Sequence, residues 1–332
     1  MTFAVGFTWI SATLLAFIHM AKNAIFLYEF FEEPPCRIKL IKELELPPLC
    51  DGGRLNFAHC LSEQNPVVYR TSHRAPPTGR LPPRFPFRHN AADGIACFIL
   101  GVSLEEIPGA SVTIAIVVHR RALVALASAA SAATTATTAT TATASSSTAV
   151  ASADADEQQP EPEPERQPVP WDSWGPSVTR CLEVPYWRRC RGPTGQRWGM
   201  LGAHDELVLH DFNPHNVRRA AAQLLSEVPA ADAPPPTTTT TMTTMTGGVL
   251  RRHENGNRTR VVSSPTLLTA GLCFRDDVTS NLPYVETRAV CTSPSRWENV
   301  LTDDERLLGL YFKVCVFPYP PPGSINRNHS IN

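Results

Sequence analysis

Two runs of low complexity divide this chain and limit which residues can form a core. From Ala122 to about Pro170 the composition falls to Ala, Thr and Ser and then to Glu and Pro, with a triplet repeat at Thr134–Thr143. A second run, at Pro234–Met245, is mostly Thr. Neither run has the large apolar side chains that offset the entropy cost of ordering a chain. We therefore expect disordered loop insertions, with helix only near Ala122–Ala132, where Ala favours it.

The remaining sequence consists of short apolar segments between turn signals. The chain has 31 prolines against 18 glycines, which argues against long helices. Segments with strand character are Arg37–Leu46, Gly94–Val102, Val112–Val118, Val178–Val184, Glu206–Phe212, Thr259–Val262 and Leu282–Glu286. Trp297–Leu301 and Leu307–Phe317 flank an acidic turn like the strands of a hairpin. The sequence therefore predicts a mainly β fold of short antiparallel strands.

The N-terminal segment is the most apolar part of the chain. Met1–Met20 contains no acidic or basic residue apart from His19, and Ala24–Phe31 continues its apolar character. We expect a helix here that Pro34 ends. About 20 apolar residues can span a bilayer, so a membrane anchor is one alternative. A buried core segment and a misassigned gene start are the others, because a signal peptide needs an early positive charge.

Two short stretches hold the best candidates for structural anchors. Trp rings are large and costly to expose, and the Gly-Pro pair that follows them is a turn signal. In the second stretch, Asp211, Asn213 and Asn216 are expected to bond backbone amides around a turn. The predicted anchors are Trp171, Trp174, Gly175, Pro176, Arg180, Asp211, Phe212, Asn213, Pro214 and Arg218.

The sequence offers one group of residues that could do chemistry. Zinc binding or acid–base catalysis could use His204, Asp205, His210, Asp211 and His215. Their spacing does not match the H-E-x-x-H pattern, and no G-x-S-x-G or phosphate-binding glycine loop occurs. Nine cysteines lack any C-x-x-C spacing, which favours free thiols in a reducing compartment. We expect no catalytic residue, cofactor or metal.

Charge restricts the class of partner. The net charge is −1, so the chain lacks the basic excess that nucleic-acid binding needs. Arginines lie near Trp187 and Trp198, but we expect them to cover Trp faces rather than to bind single strands. We expect a protein partner and a location in the cytoplasm or nucleus, with a membrane location as the alternative.

A series of short pieces occurs in a characteristic order. They are Phe85–His89, Val118–Leu123, Trp171, Trp174–Pro176, Thr179–Arg180, Asp211–Pro214, Asn216–Arg219, Leu282–Glu286, Asp303–Arg306 and Gly309–Leu310. Together they resemble the C-terminal region of the large F-box protein families of mushroom-forming fungi, the basidiomycete F-box domain-containing proteins. The similarity covers about residues 80–126, 170–220 and 258–310.

This resemblance implies a sandwich or an incomplete β-propeller-like assembly. It also implies a non-enzymatic protein-interaction domain, similar to the substrate-recruiting region of a fungal F-box protein and possibly truncated. The F-box module itself is not recognisable, since Leu46–Leu49 is followed by the turn Cys50–Gly53 rather than by amphipathic helices. A ubiquitin-ligase adaptor is thus an expected partner only of a longer form. The alternative function is a membrane-anchored protein of unknown role through Met1–Met20.

These inferences divide the chain into seven parts. They are an apolar, helical segment (1–33), a β-rich first part (34–126), a disordered linker (127–169), a β-rich Trp-containing part (170–230), a disordered Thr-rich loop (231–256), a β-rich C-terminal part (257–317) and a disordered tail (318–332).

Overall fold

The computed structural model describes thirteen ranges of the chain. They are residues 6–31, 36–62, 91–105, 111–129, 167–185, 192–202, 206–226, 244–245, 248–252, 258–271, 273–290, 299–302 and 307–310. The predicted disorder at 130–166 and 318–332, most of the Thr-rich loop and Trp187 therefore lie outside the described residues.

Four strands near the N-terminus form an antiparallel sheet in chain order, which we call the first sheet. They are β1 (Phe7–Trp9), β2 (Leu14–His19), β3 (Ala24–Phe31) and β4 (Arg37–Glu45). A single 3-10 turn, Met20–Lys22, and the left-handed Asn23 (φ 49°) connect β2 to β3. The predicted strand at Arg37–Leu46 is thus confirmed.

The prediction of a helix over residues 1–33 is wrong, because the described part of that segment forms β1, β2 and β3. Burial in β2 alternates with a period of two, and its buried members are Leu14, Ala16 and Ile18. Apolar residues at nearly every position hide this period in the sequence. The membrane-anchor alternative needs a helix where β1 and β2 lie. Among the described residues, no helix combines the length and apolar character needed to cross a membrane.

A second antiparallel sheet, which we call the central sheet, also follows chain order. It contains β5 (Gly53–Ser62), β6 (Ile95–Leu104), β7 (Ser111–His119) and β8 (Thr179–Glu183). A helix, α1 (residues 120–129), follows β7 directly, and α2 (Trp171–Val178) precedes β8. The predicted strands at Gly94–Val102 and Val112–Val118 are confirmed. So is the Ala-rich helix, whose last residues occupy the start of the segment predicted as a disordered linker.

The third sheet has six strands and is not in chain order. Its order is β11 (Thr244–Met245), β12 (Gly248–Arg252), β13 (Arg258–Val262), β16 (Tyr284–Val290), β10 (Glu206–Asp211) and β9 (Arg197–Leu201). The helix α3 (Pro214–Ser226) packs Val217 and Leu224 on Val261 of β13. Two hairpins, β14 (Thr266–Leu268) with β15 (Val278–Ser280) and β17 (Asn299–Thr302) with β18 (Leu307–Leu310), complete the described elements.

Two details of the third sheet correct the sequence analysis. Strands β11 and β12 fall inside the segment 231–256 that we expected to be disordered, because antiparallel pairing with β13 orders the backbone of β12. The strand after Pro283 is not an edge strand, since β16 pairs with β13 on one side and β10 on the other. The predicted strands at Glu206–Phe212 and Thr259–Val262 are confirmed, as is the C-terminal hairpin.

Alternation along β6 divides the core in two. Phe98, Leu100 and Val102 pack in one cluster with Ile18, Leu27 and Leu44 of the first sheet. The intervening Ile95, Cys97 and Ile99 pack in another cluster with Trp198 and Val208 of the third sheet. The central sheet is therefore buried on both faces, which explains the continuous apolar runs in β6 and β7. The fold is mainly β, as predicted, and its four-stranded meanders match the unit of a propeller-like assembly.

Candidate interaction surface

The two tryptophans of the predicted anchor stretch lie in α2 and are buried. Their rings meet edge to face with centroids 5.1 Å apart. The Trp174 Nε1–H donates to the Glu45 carbonyl at 3.0 Å, which ties α2 to the end of β4. Both rings belong to the cluster between the first and central sheets. Truncating either ring would therefore open a cavity at the junction of two sheets.

The Gly175–Pro176 pair does not form the turn that the sequence indicated, because both residues lie inside α2. The Trp171 indole rests directly on Gly175, and a Cβ on that residue would come within 2.4 Å of the ring. The absence of a side chain thus lets the indole cover the helix backbone. At the helix end, the Gly175 carbonyl accepts from the Thr179 hydroxyl at 2.7 Å, so β8 starts at a capped terminus.

Arg180, on β8, is fully buried and serves the backbone. Its Nε–H donates to the Leu282 carbonyl at 2.7 Å, and its NH1 donates to the Ser264 carbonyl at 3.1 Å and to the Thr266 hydroxyl. The guanidinium lies 5.2 Å from the Tyr284 ring centroid. Burial lowers the pKa of Arg180. These contacts join the central sheet to the loops around β14 and β16.

Asp211 and Asn213 organise the turn between β10 and α3. Asp211 accepts from the Asn213 backbone N–H at 2.9 Å, from Arg197 at 3.1 Å and from the Asn216 amide at 2.8 Å. Asn213 caps α3 by accepting the His215 backbone N–H at 2.9 Å. The expected backbone bonds of Asp211 and Asn213 are confirmed, whereas the Asn216 amide contacts side chains instead.

The other predicted anchors of this stretch differ in burial. Phe212 is buried and its ring lies 5.3 Å from that of Tyr284. Pro214 begins α3, at a helix position where a missing N–H removes no intrahelical bond. Arg218 is exposed on α3 and contacts the His215 ring at 3.1 Å. Most of the anchors therefore bury and cap the scaffold, while Arg218 faces outward.

A buried ionic row crosses the third sheet, which the sequence analysis missed. Cross-strand pairing places Arg260, Glu286 and His210 side by side on β13, β16 and β10. Glu286 accepts from Arg260 at 2.9 Å and from Arg288 at 2.6 Å, and its carboxylate lies 3.6 Å from His210 Nε2. Only pairing between distant segments brings these groups together, so no local signal could have revealed them.

The environment of this row shifts two pKa values downward. Burial alone would raise the pKa of Glu286, but hydrogen bonds from His210, Arg288 and Arg260 outweigh it and lower that pKa well below its usual range. Burial lowers the pKa of His210, against the opposing effect of Glu286. Glu286 is therefore an anion and His210 a neutral base near pH 7. The row is a satisfied charge network in a sheet interior.

The predicted His/Asp group does not assemble. His210 is buried in the third sheet, His215 is exposed at the start of α3, and His204 lies outside the described residues. Among the residues that the structure describes, no three His, Cys, Asp or Glu side chains are placed to hold a metal ion. Six cysteines in the same ranges are free thiols, as expected, and burial raises the pKa of Cys60, Cys181 and Cys273 to about 12. Such thiols are poor nucleophiles at neutral pH.

One face of the first sheet carries an aromatic surface that the sequence analysis also missed. Its buried face holds Leu14, Ala16 and Ile18, so the alternate residues lie on the other side. We call that side the aromatic face, and cross-strand pairing assigns to it Phe7, Trp9, Leu15, Phe17, His19, Phe26, Tyr28, Phe30, Ile38 and Leu40. Phe7 is 62% exposed and Ile38 is 61% exposed, whereas Phe26 is buried.

Ring contacts make the aromatic face continuous. Phe17 stacks on Tyr28 with centroids 5.3 Å apart, and His19 stacks on Phe26 at 4.9 Å. Trp9 meets Phe30 edge to face at 5.8 Å. Lys22 lies 5.4 Å from the Phe26 centroid, which adds a cation at the margin. Cross-strand aromatic pairs of this kind stiffen a sheet and also present a preformed apolar surface.

Comparisons with protein-family models, curated proteins and solved structures found no match for this chain. The relation to fungal F-box proteins thus stays a resemblance carried by short pieces of sequence.

Proposed function

We propose that this chain is a non-enzymatic protein-interaction domain that binds a protein partner through the aromatic face of the first sheet. The exposure of that face carries the proposal. Isolated apolar side chains are ordinary on protein surfaces, but a contiguous aromatic surface is typical of interaction sites. Aromatic residues are enriched in interfaces because they bury much area and lose few rotatable bonds.

The rigidity of the face supports this function. Phe17, Phe26 and Tyr28 contact one another across two hydrogen-bonded strands, so binding need not order them first. Preorganised rings keep the entropy cost of association low. The opposite side of the sheet packs into the larger core, so the aromatic side is not needed to hold the sheet on the rest of the described chain.

The resemblance to fungal F-box proteins supports the same class of function. In that relationship the chain corresponds to the substrate-recruiting region, and its partner is a protein to be ubiquitinated by a longer relative. We propose a location in the cytoplasm or nucleus, consistent with free thiols at Cys97, Cys181 and Cys273.

The test compares two changes of matched exposure. The purified chain, a Phe7→Ser/Ile38→Ser variant and a Leu267→Ser variant are each incubated with a basidiomycete cell extract, and bound proteins are quantified by mass spectrometry. Leu267 is 54% exposed and lies on β14, outside the first sheet, so it controls for the loss of any apolar surface residue.

We expect a defined set of proteins to bind the wild type and the Leu267→Ser variant and to be lost from the double variant. Phe7 and Ile38 are exposed, so their replacement leaves the core intact and the melting temperature within a few degrees. A partner set that is identical for all three proteins would refute the aromatic face as the binding surface.

A further inference from the structure

Strand β4 forms an edge of the first sheet. It pairs with β3 along one side, and no other named strand of the described chain pairs with it. Its first three residues, Arg37, Ile38 and Lys39, are all exposed. Alternate residues of an edge strand direct N–H and C=O groups away from the sheet, where another extended segment can bind them.

The other end of the same edge already holds an added segment. Val169 forms a parallel bridge with Leu44. Its N–H donates to the Glu43 carbonyl at 2.8 Å, and its carbonyl accepts the Glu45 N–H at 2.9 Å. The backbone of β4 therefore accepts a parallel neighbour at its C-terminal end, while its N-terminal half remains open in the described structure.

The two sides of the open edge differ in chemistry. Ile38 and Leu40 lie opposite Phe30 and Tyr28 and so belong to the aromatic face. Arg37 and Lys39 lie on the reverse side and, with the half-buried Lys42, make it basic. On β3, the carboxylate that faces them is that of Glu29, opposite Lys39. The basic side thus keeps an excess of positive charge.

We propose that the open edge of β4 binds an extended peptide of a partner protein as an added β-strand, and that this peptide alternates acidic and apolar residues. This inference rests on the proposed function and specifies its partner. Because side chains of a strand alternate between faces, the apolar residues of the peptide extend the aromatic face. Its carboxylates then meet Arg37, Lys39 and Lys42 on the reverse side. The backbone bonds supply affinity and the two faces supply selectivity.

The probe is a fluorescently labelled peptide, (Glu-Val)4, whose binding to the full chain is followed by anisotropy. We expect saturable binding that weakens with added salt. The Arg37→Glu/Lys39→Glu variant should bind about tenfold more weakly and should gain binding to the charge-swapped peptide, (Lys-Val)4. Arg54→Glu on β5 is the matched control, because Arg54 is also exposed but lies outside the first sheet, and it should leave binding unchanged.

Hydrogen exchange separates strand addition from simple charge attraction. Peptide binding should slow exchange of the amides at residues 37–40, because an added strand accepts their outward N–H groups. Failure of (Glu-Val)4 to bind, or binding that leaves these amides unprotected, would overturn the proposal.

Two further outcomes are informative. If binding appears only after Glu161, Glu163 and Glu165 are changed to Gln, the acidic run of the chain itself competes for the edge and the proposal of a partner peptide is overturned. If the edge fails in all assays but the Phe7→Ser/Ile38→Ser variant still loses its protein partners, the proposed function stands and this inference alone is wrong.

Discussion

Gly175 provides a test in which helix propensity and packing predict opposite signs. In an ordinary helix, Gly→Ala stabilises by about 1 kcal/mol. Here a Cβ would lie 2.4 Å from the Trp171 ring, whereas carbon atoms pack at about 3.5–4.0 Å. The buried indole would have to move by roughly 1 Å against Trp174 and the core, and such overpacking costs about 1–3 kcal/mol.

The expected net effect of Gly175→Ala is therefore a destabilisation of about 1–2 kcal/mol. For a chain of this size that corresponds to a fall in Tm of roughly 2–8 °C. Replacing Trp171 by Leu removes the obstructing ring atoms. In that background Gly175→Ala should become stabilising by about 0.5–1 kcal/mol, because only helix propensity remains.

Thermal and denaturant unfolding of the four proteins in this cycle measure the coupling directly. A rise in Tm for Gly175→Ala in the wild-type background would refute the packing of Trp171 on Gly175. Equal effects in both backgrounds would refute it as well, since the ring could not then be the cause of the penalty.

Three other predictions concern the scaffold. Trp174→Ala should lower the free energy of unfolding by about 3–5 kcal/mol, and Trp174→Phe by about 1–2 kcal/mol because mainly the bond to the Glu45 carbonyl is lost; denaturant titrations check both. Stability should fall as pH decreases below the usual His pKa of 6.5, because His210 binds protons more weakly folded than unfolded, and His210→Gln should reduce that slope. The purified chain should form no complex with the cullin adaptor in a pull-down, since described residues 7–62 form β-strands rather than a helical F-box; a stoichiometric, salt-resistant complex would contradict this.

The elements that could be predicted from sequence are those whose signal is local. Strands β6 and β7 carry continuous β-branched and apolar runs, and only a strand buried on both faces fits their length. The end of β10 was visible because Asn213 and Pro214 stop a strand. The same two residues also mark the start of α3, as an N-cap followed by Pro at the first helical position, and that signal was available but overlooked.

The elements that could not be predicted depend on partners far away in sequence. In β2, Leu14–His19, every residue except His19 is apolar, so neither a helical nor a strand period is evident. Pairing with β3, and of β3 with β4, decides the outcome. In α2, a Gly-Pro pair indicated a turn, but burial of two Trp rings outweighs that local preference. The aromatic face could not be found for the same reason, since its two sides are distinguished only by pairing.

The residues that carry the resemblance and those that carry the proposed binding are different sets. Trp171, Trp174, Arg180 and Phe212 are buried, and their polar atoms bond the chain itself. Buried residues specify a scaffold, so a likeness located in them implies a shared fold and not a shared partner. Partner choice must then depend on exposed groups. Those of the first sheet lie outside the segments of similarity, which leaves this surface free to differ between relatives with the same core.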